Sequence, residues 1–404
     1  MTAVHTVEVA DRDDRRPEIR AHLVQSVPDT HDSRIPCRPQ ILCSRSTITP
    51  CNRAVTQLRV GRALGEPWGG LVKLRRLLAA CTALVLLGSI PVANASAAPR
   101  FFHYVALGDS YTSAPFVPLP DLLSLGCVRS YNNYPKLLAA ALHVRLTDVS
   151  CGGADTTNMT QPQSTVLGTA APQFNALTPD TDLVTLGIGG NDFGVFGSII
   201  DTCPGLRASD PTGAPCKAHF TVDGVDTLRA KIAQTQTRIA VVVQGIKARS
   251  PKAKILLIGY PKIAPEHGTC PSVLPFADGD YTYLYSIEQA LNAAVSNAAA
   301  AGGATYVDTF GPSTGHDACA PDGQAWIQGK DINLLRAFNY HPRYEGEAGM
   351  AALTYKTLTG APATVTAAEQ SAWAARARTL AKQAAASPQA VQASLNRVRT
   401  SAQR

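Results

Sequence analysis

The sequence predicts an α/β fold, a three-layer sandwich in which helices cover a central parallel sheet of five strands. Two observations support this prediction. Short apolar runs alternate with longer segments of helical character, and such alternation is typical of parallel sheets. In addition, 45% of the 404 residues are hydrophobic and 17% are charged. This composition supports a folded core and excludes a wholly disordered chain.

The predicted strands and helices follow from these runs in chain order. The strands are predicted at Phe102–Leu107, Arg145–Ser150, Asp182–Ile188, Ala253–Ile258 and Ala304–Thr309. The helices are predicted at Tyr134–His143, Val222–Arg249, Tyr281–Ala301 and Arg343–Leu358. Between the third strand and the second helix, residues 203–220 are predicted to form a loop closed by a disulfide.

The net charge of +7 is unevenly distributed along the chain. Residues 1–97 and residues 361–404 each carry a balance of +5, whereas residues 98–360 carry −3. A basic patch on the central region is therefore not expected, and we predict no nucleic-acid partner.

Residues 72–97 have the features of a secretory signal peptide. Basic residues at 73–76 precede an apolar run, Leu77–Ile90, and small residues follow it with cleavage expected after Ala95 or Ala97. The apolar run would span only about 21 Å as a helix, against the ~30 Å of a membrane's hydrocarbon core. We therefore predict a secreted, extracellular protein.

The signal peptide suggests four segments. Residues 1–71 are predicted to be an unstructured leader or a mis-called start, and residues 72–97 the signal peptide. The folded α/β domain is expected at 98–360. The Ala-rich, basic tail at 361–404 is expected to be helical or disordered, and either solvated or in peripheral contact with an anionic cell envelope.

Six cysteines remain after removal of the signal peptide, and an even number in an exported chain predicts three disulfides. Their spacing leaves fifteen pairings open. They are Cys127, Cys151, Cys203, Cys216, Cys270 and Cys319.

Chemically useful residues follow the predicted strands. Ser110 lies in the sequence GDSY, Gly153 in CGGA and Asn191 in GGND, while His341 lies in NYHP before the last helix. Because ligands bind beyond the carboxyl ends of parallel strands, these four residues are expected to meet at one edge of the sheet.

The order and type of these residues resemble the SGNH (GDSL-type) hydrolase family, and secreted actinobacterial esterases and lipases above all. The resemblance covers about residues 101–358 and implies an SGNH/flavodoxin-like sandwich. It also implies three disulfides between successive cysteines, Cys127–Cys151, Cys203–Cys216 and Cys270–Cys319.

The residue types indicate a mechanism for carboxylic ester hydrolysis. Ser110 is the expected nucleophile, and His341 is the expected base that takes its proton. The backbone N–H groups of Ser110 and Gly153 and the side-chain amide of Asn191 are the expected oxyanion donors. One such donor typically contributes ~3–4 kcal/mol of transition-state stabilisation.

The sequence offers more than one group that could orient His341. Many family members have Asp three residues before the histidine, a position that Phe338 occupies here. The resemblance to similar secreted members implies that the Phe338 backbone carbonyl orients the ring instead. Asp331 and Asp317 are alternatives that would complete a triad.

A second serine, Ser313, lies in a G-x-S-x-G sequence, but no helix follows it as that motif requires. We therefore favour Ser110 as the nucleophile. The apolar loop Ala114–Leu125, with Phe193 and Phe196, favours an acyl-lipid ester as substrate. A carbohydrate-ester deacetylase or a non-catalytic envelope-binding module are the alternatives. No metal or cofactor is predicted, and the protein is expected to be a monomer.

Overall fold

The computed structural model describes residues 100–385. Nine strands lie in this part of the chain, and their bounds are as follows. They are β1 (His103–Gly108), β2 (Arg145–Asp148), β3 (Gln163–Thr165), β4 (Gly168–Ala170), β5 (Leu183–Gly187), β6 (Thr221–Val222), β7 (Val225–Asp226), β8 (Lys254–Ile258) and β9 (Thr305–Val307).

The described residues also form eight α-helices and five short 3-10 helices. The α-helices are α1 (Ser110–Ser113), α2 (Tyr134–Leu142), α3 (Val195–Leu206), α4 (Pro215–Phe220), α5 (Thr227–Arg249), α6 (Asp280–Gly302), α7 (Tyr344–Thr359) and α8 (Ala367–Ala385). The 3-10 helices are Leu125–Cys127, Thr156–Met159, Gln173–Ala176, Asp192–Gly194 and Gly311–Ser313.

Five strands form the predicted central sheet in the order β2-β1-β5-β8-β9, and every pair is parallel. Helices α5 and α6 pack against each other on one face, and α2 packs against α7 on the other. The strand order reverses beside β1. That point is where an open α/β sheet leaves a crevice for a ligand.

The core lies on both faces of the central strands. In β5 every residue is buried, and in β1 and β8 every residue after the first is buried. Such continuous apolar strands are characteristic of a parallel sheet that is covered on both sides.

The start of α5 differs from the sequence prediction. Asp223 and Gly224 have positive φ angles and form a two-residue turn between β6 and β7, so Val222 belongs to a hairpin rather than a helix. The helix begins five residues later, at Thr227, where the Asp226 carboxylate caps it by accepting the N–H groups of Leu228 and Arg229.

The predicted loop at 203–220 is also different in the structure. Much of it is helical, comprising the end of α3 and the whole of α4. The disulfide Cys203–Cys216 joins these two helices, and both sulfur-bearing residues are fully buried. Pro215 does not interrupt α4, because it occupies the first position of that helix, where a backbone N–H would have no helical partner.

The other two disulfides are Cys127–Cys151 and Cys270–Cys319. All three pairs therefore match those that the family resemblance implies. Cys127–Cys151 joins the segment before α2 to the loop that follows β2, and that loop carries Gly153.

Helix α8 contradicts the expectation of a solvated tail for part of its length. It packs against α7, with Ala374 and Ala377 buried. The Tyr344 hydroxyl donates to the Ala374 carbonyl at 2.8 Å. The Trp373 and Tyr355 rings pack edge to face, with their centroids 5.8 Å apart. Small alanines permit this close approach. The leader, the signal peptide and tail residues 386–404 lie outside the described residues.

Candidate active site

Ser110 lies where β1 ends and the short helix α1 begins. The Asp109 carboxylate caps that helix by accepting the Tyr111 N–H at 2.9 Å. Gly108 precedes this turn with a φ of 154°, and a Cβ there would lie 2.6 Å from the Gly187 carbonyl oxygen. Only glycine fits at this close approach of two strands, so Gly108 fixes the path of the chain into Ser110.

His341 lies beside Ser110, although 231 residues separate them in the chain. The His341 Nε2 atom is 2.7 Å from the Ser110 Oγ, and its Nδ1 atom is 2.6 Å from the Asn339 carbonyl oxygen. A carbonyl only accepts hydrogen bonds, so the proton belongs on Nδ1. The lone pair of Nε2 therefore faces the Ser110 hydroxyl.

The prediction that the Phe338 carbonyl orients His341 is wrong. That carbonyl instead accepts the backbone N–H of His341 at 3.3 Å. Tyr340 adopts a φ of 59°, and the resulting tight turn brings the Asn339 carbonyl to the ring. The orienting group is a backbone carbonyl, as expected, but it belongs to the next residue.

Neither alternative carboxylate reaches the ring through Nδ1. The Asp331 side chain is exposed and pairs with Lys330 at 2.8 Å. The Asp317 carboxylate accepts the backbone N–H of Cys319 at 2.9 Å. Among the described residues, His341 therefore has a carbonyl and not a carboxylate on Nδ1.

The environment of His341 favours the neutral imidazole. Burial lowers the pKa of His341 to about 4, although the hydrogen bond to Asn339 raises it in part. An imidazole that is neutral at pH 7 has a free lone pair for a proton.

Three N–H groups converge near Ser110. Across residues 100–385, no protein acceptor receives the backbone N–H of Ser110 or of Gly153. The Asn191 Nδ2 donates one hydrogen to the Ala154 carbonyl at 2.9 Å and retains a second. Gly153 has a φ of 78°, a conformation that favours glycine. The predicted oxyanion donors thus have hydrogens without a protein partner in the described chain.

These groups line a cavity of about 280 Å³. Its walls are mostly apolar and come from the loops that follow α1, β2 and β5, from the segment before α2, and from the loop before α7. The lining residues are Ser110, Pro115, Phe116, Val128, Gly152, Gly153, Asn191, Phe338 and His341. Phe116 thus lines the cavity, as the apolar loop suggested, whereas Phe196 does not line it and stacks on the Tyr111 ring.

Two buried tyrosines connect the segments of the site, and sequence reasoning did not identify them. The Tyr111 hydroxyl donates to the Tyr340 carbonyl at 2.6 Å and so connects helix α1, which begins at Ser110, to the loop that carries His341. The Tyr260 hydroxyl donates to Asp109 at 2.6 Å and accepts the Gly190 N–H at 2.9 Å. Tyr111 directly follows Ser110 in GDSY, whereas no local signal indicates Tyr260.

Asp109 and Asp192 stabilise the turns beside the site. Burial raises the pKa of Asp109 to about 7, and the Tyr260 hydrogen bond lowers it in part. Asp192 accepts the backbone N–H and hydroxyl of Thr156 and pairs with Arg238 at 3.3 Å. Both carboxylates are occupied by hydrogen bonds that hold loops together.

Ser313 lacks the surroundings of a nucleophile. It is fully buried, its Oγ donates to the Phe310 carbonyl at 2.9 Å, and it accepts the Lys262 N–H at 2.9 Å. The neighbouring His316 contacts the Gln324 carbonyl rather than a serine.

Among the described residues no cluster of three metal-ligating side chains occurs, and none of the described helices is long and apolar enough to cross a membrane.

The parallel sheet, its carboxyl-edge cavity and the four residues at that cavity define the class of an SGNH-type hydrolase. Residues 106–348 match the GDSL-like lipase/acylhydrolase family, and the chain belongs to that family.

Relatives with known names agree with this assignment. Lipase 2 of Streptomyces coelicolor is 40% identical over 297 residues, which are 70% of this chain and 97% of that lipase. Two solved structures each superpose with a TM-score of 0.52. Phospholipase A1 of Streptomyces albidoflavus is 29% identical, with 64% of this chain and 98% of that chain covered. The extracellular lipase of Streptomyces rimosus is 26% identical, with 63% and 98% covered. The protein is a carboxylic ester hydrolase.

Proposed function

We propose that the protein is a secreted serine esterase that hydrolyses acyl-lipid esters through an acyl-enzyme on Ser110, with His341 as the base. The 2.7 Å separation between the Ser110 Oγ and the His341 Nε2 supports this role most directly. A hydroxyl becomes a useful nucleophile only when a base within hydrogen-bond reach accepts its proton.

The reaction begins when the Ser110 Oγ attacks the ester carbonyl carbon and passes its proton to the His341 Nε2. The carbonyl oxygen becomes an oxyanion. It receives hydrogen bonds from the N–H groups of Ser110 and Gly153 and from the Asn191 amide, none of which must leave a protein acceptor. Donors arranged before the reaction stabilise the developing charge without reorganisation.

Collapse of this intermediate breaks the bond to the alcohol, which leaves with the proton from His341. A water molecule then attacks the acyl-enzyme while His341 accepts its proton, and collapse returns the proton to the Ser110 Oγ with release of the acid. The Asn339 carbonyl holds the Nδ1 proton throughout and keeps the ring in the reactive tautomer.

The apolar cavity supports an acyl chain as the group that binds beside Ser110. Pro115, Phe116, Val128 and Phe338 line it, and each offers carbon surface for a chain to bury. A lipase and a phospholipase among the similar proteins favour the same substrate class. Higher kcat/KM on medium-chain than on acetyl esters supports the proposal, whereas activity restricted to acetylated sugars would assign a deacetylase.

Secretion is supported by the pattern at residues 72–97, by the three disulfides, and by the extracellular lipase among the similar structures. Structural disulfides persist in oxidising compartments. N-terminal sequencing of protein from the culture medium should begin after Ala95 or Ala97. A mature protein that retains residues 1–71 would contradict the proposed leader.

The decisive experiment compares Ser110→Ala with Ser313→Ala. The first should lose at least about 10⁴-fold in kcat on p-nitrophenyl butyrate and all labelling by a fluorophosphonate, because the nucleophile is gone. The second removes a hydroxyl from a buried turn and should retain labelling, although its stability should fall. A wild-type protein that neither turns over the ester nor reacts with the probe would be a binding module.

A further inference from the structure

The loop that leads into the histidine exposes a cluster of large apolar side chains. Ile332, Leu334 and Leu335 are 51%, 68% and 81% exposed. Single exposed leucines are common on protein surfaces, but three such side chains within four residues form a patch that water solvates poorly.

The patch is presented by an ordered turn. Asn333 and Ala337 exchange backbone hydrogen bonds of 3.0 and 2.9 Å, and the Asn333 side chain accepts the Leu335 N–H at 3.0 Å. The following residue, Phe338, donates its N–H to the Pro115 carbonyl and lines the active-site cavity. The exposed leucines therefore project from a hydrogen-bonded turn beside the active-site cavity.

A second cavity, of about 360 Å³, lies at the base of this turn and carries positive charge. Four cationic side chains line it, against two carboxylates. The cations are Arg336, Arg343, Arg378 and Lys382, and the carboxylates are Asp322 and Glu345. Arg336 and Arg343 share Asp322, so this carboxylate neutralises part of the charge.

The cations on α8 are less compensated. Arg378 lies over the Tyr344 ring at 5.3 Å, and Lys382 is exposed. Neither forms an ion pair with a carboxylate among the described residues. Both are contributed by a helix beyond residue 348, where the family match ends.

We propose that these residues form a docking edge for an anionic lipid surface, made of Ile332, Leu334, Leu335, Arg336, Arg378 and Lys382. The apolar turn would enter the interface between headgroups and acyl chains, while the cationic cavity receives a phosphate headgroup. Apolar side chains flanked by Lys and Arg are complementary to such a surface, which presents negative charge above hydrocarbon. The docking edge brings the mouth of the active-site cavity to the layer that holds lipid esters.

The benefit to catalysis rests on the proposed function, but binding itself does not. The two are separated by measuring binding on ether-linked lipids, which have no ester to hydrolyse. Turnover of soluble p-nitrophenyl butyrate is measured independently. A protein that hydrolyses the soluble ester but does not bind the vesicles contradicts the docking proposal. A protein that binds the vesicles but does not hydrolyse the ester contradicts the proposed function.

The apolar part is tested with Leu334→Ser/Leu335→Ser in sedimentation with vesicles of equal diether phosphatidylglycerol and diether phosphatidylcholine. We expect the partition coefficient to fall at least about tenfold, because two exposed leucines lose their transfer into the interface. Hydrolysis of p-nitrophenyl butyrate should stay within about twofold of wild type, since neither side chain lines the active-site cavity.

The matched control is Phe102→Ser/Val241→Ser, which removes two side chains that are 63% and 66% exposed. Phe102 precedes β1, at the sheet edge opposite Ser110, and Val241 lies in the middle of α5. This variant should bind vesicles like wild type. Equal loss in the control, no loss in the leucine variant, or no binding by wild type would each overturn the proposal.

The charge contribution is tested with Arg378→Gln/Lys382→Gln. Binding to the anionic vesicles should fall about tenfold, whereas binding to pure phosphatidylcholine should not change. Inorganic phosphate should not compete at millimolar concentration, since a surface and not a free ion is the ligand. Analytical ultracentrifugation of both proteins tests for self-association. If the wild type is a dimer, the leucine variant is a monomer and vesicle binding is unchanged, the edge is a self-association interface and the proposal is wrong.

Discussion

The low pKa of His341 makes a quantitative prediction about the pH dependence of catalysis. In the proposed mechanism only the neutral imidazole accepts the Ser110 proton, so kcat/KM should fall as pH drops through the pKa of His341 in the free enzyme. With a pKa of about 4, roughly 97% of the imidazole is neutral at pH 5.5. An unperturbed histidine with a pKa of ~6.5 would be only about 10% neutral there.

The perturbation that tests this reasoning is Phe338→Asp, with Phe338→Asn as a control of equal shape. The centres of the Phe338 and His341 rings are 5.4 Å apart, so a carboxylate at this position would lie close to the imidazole. An opposite charge within ~4–6 Å raises a histidine pKa by about 1–3 units. The acid limb of Phe338→Asp should therefore lie 1–3 units above that of Phe338→Asn.

The assay is kcat/KM for p-nitrophenyl butyrate between pH 3.5 and 8, read at the isosbestic wavelength of the released phenol. The wild type should retain at least about 90% of its plateau value at pH 5.5. If the acid limb of the wild-type kcat/KM profile instead lies near pH ~6.5, burial does not lower the pKa of His341. Coincident limbs in the Asp and Asn variants would show that the side chain at 338 does not reach it.

Further predictions address the remaining parts of the site. Asn191→Ala should lower kcat about 10²–10³-fold with little change in KM, because it removes one of the proposed oxyanion donors. Tyr111→Phe should lower kcat about tenfold and change the pH profile, since the loss of one hydrogen bond frees the Tyr340 carbonyl beside His341; an unchanged profile would mean a purely structural role. Replacing Cys127 and Cys151 together by serine should lower the free energy of unfolding by about 3 kcal/mol in urea denaturation, because the disulfide closes a long loop. EDTA should leave kcat unchanged, which a steady-state assay after dialysis will check.

Much of the site could be predicted because it is encoded locally. Ser110, Gly153 and Asn191 each occupy a short turn after a strand, and parallel strands bring their carboxyl ends to one edge. The structure brings these residues and His341 to the same cavity. The glycine conformation at 153 and the helix cap at Asp109 are likewise properties of a few adjacent residues.

The sequence-based prediction of the Phe338 carbonyl as the group that orients His341 is wrong for a physical reason. Phe338 and Asn339 both lie within three residues of His341. Sequence spacing does not tell which of their carbonyls points towards the imidazole. The positive φ of Tyr340 decides which carbonyl faces Nδ1. The Tyr340 carbonyl accepts a hydrogen bond from the Tyr111 hydroxyl, a contact between segments far apart in the chain that a local reading of the sequence does not contain.

The sequence by itself determined the strand–helix alternation, the turn residues of the site and the apolar character of the loops beside it. Only the tertiary structure decided that Tyr260 joins Asp109 to Gly190, that α8 docks on α7, and that exposed leucines stand beside a cationic cavity. The difference is physical. Periodicity, caps and turns depend on neighbours a few residues apart, whereas these contacts depend on how whole helices and loops pack.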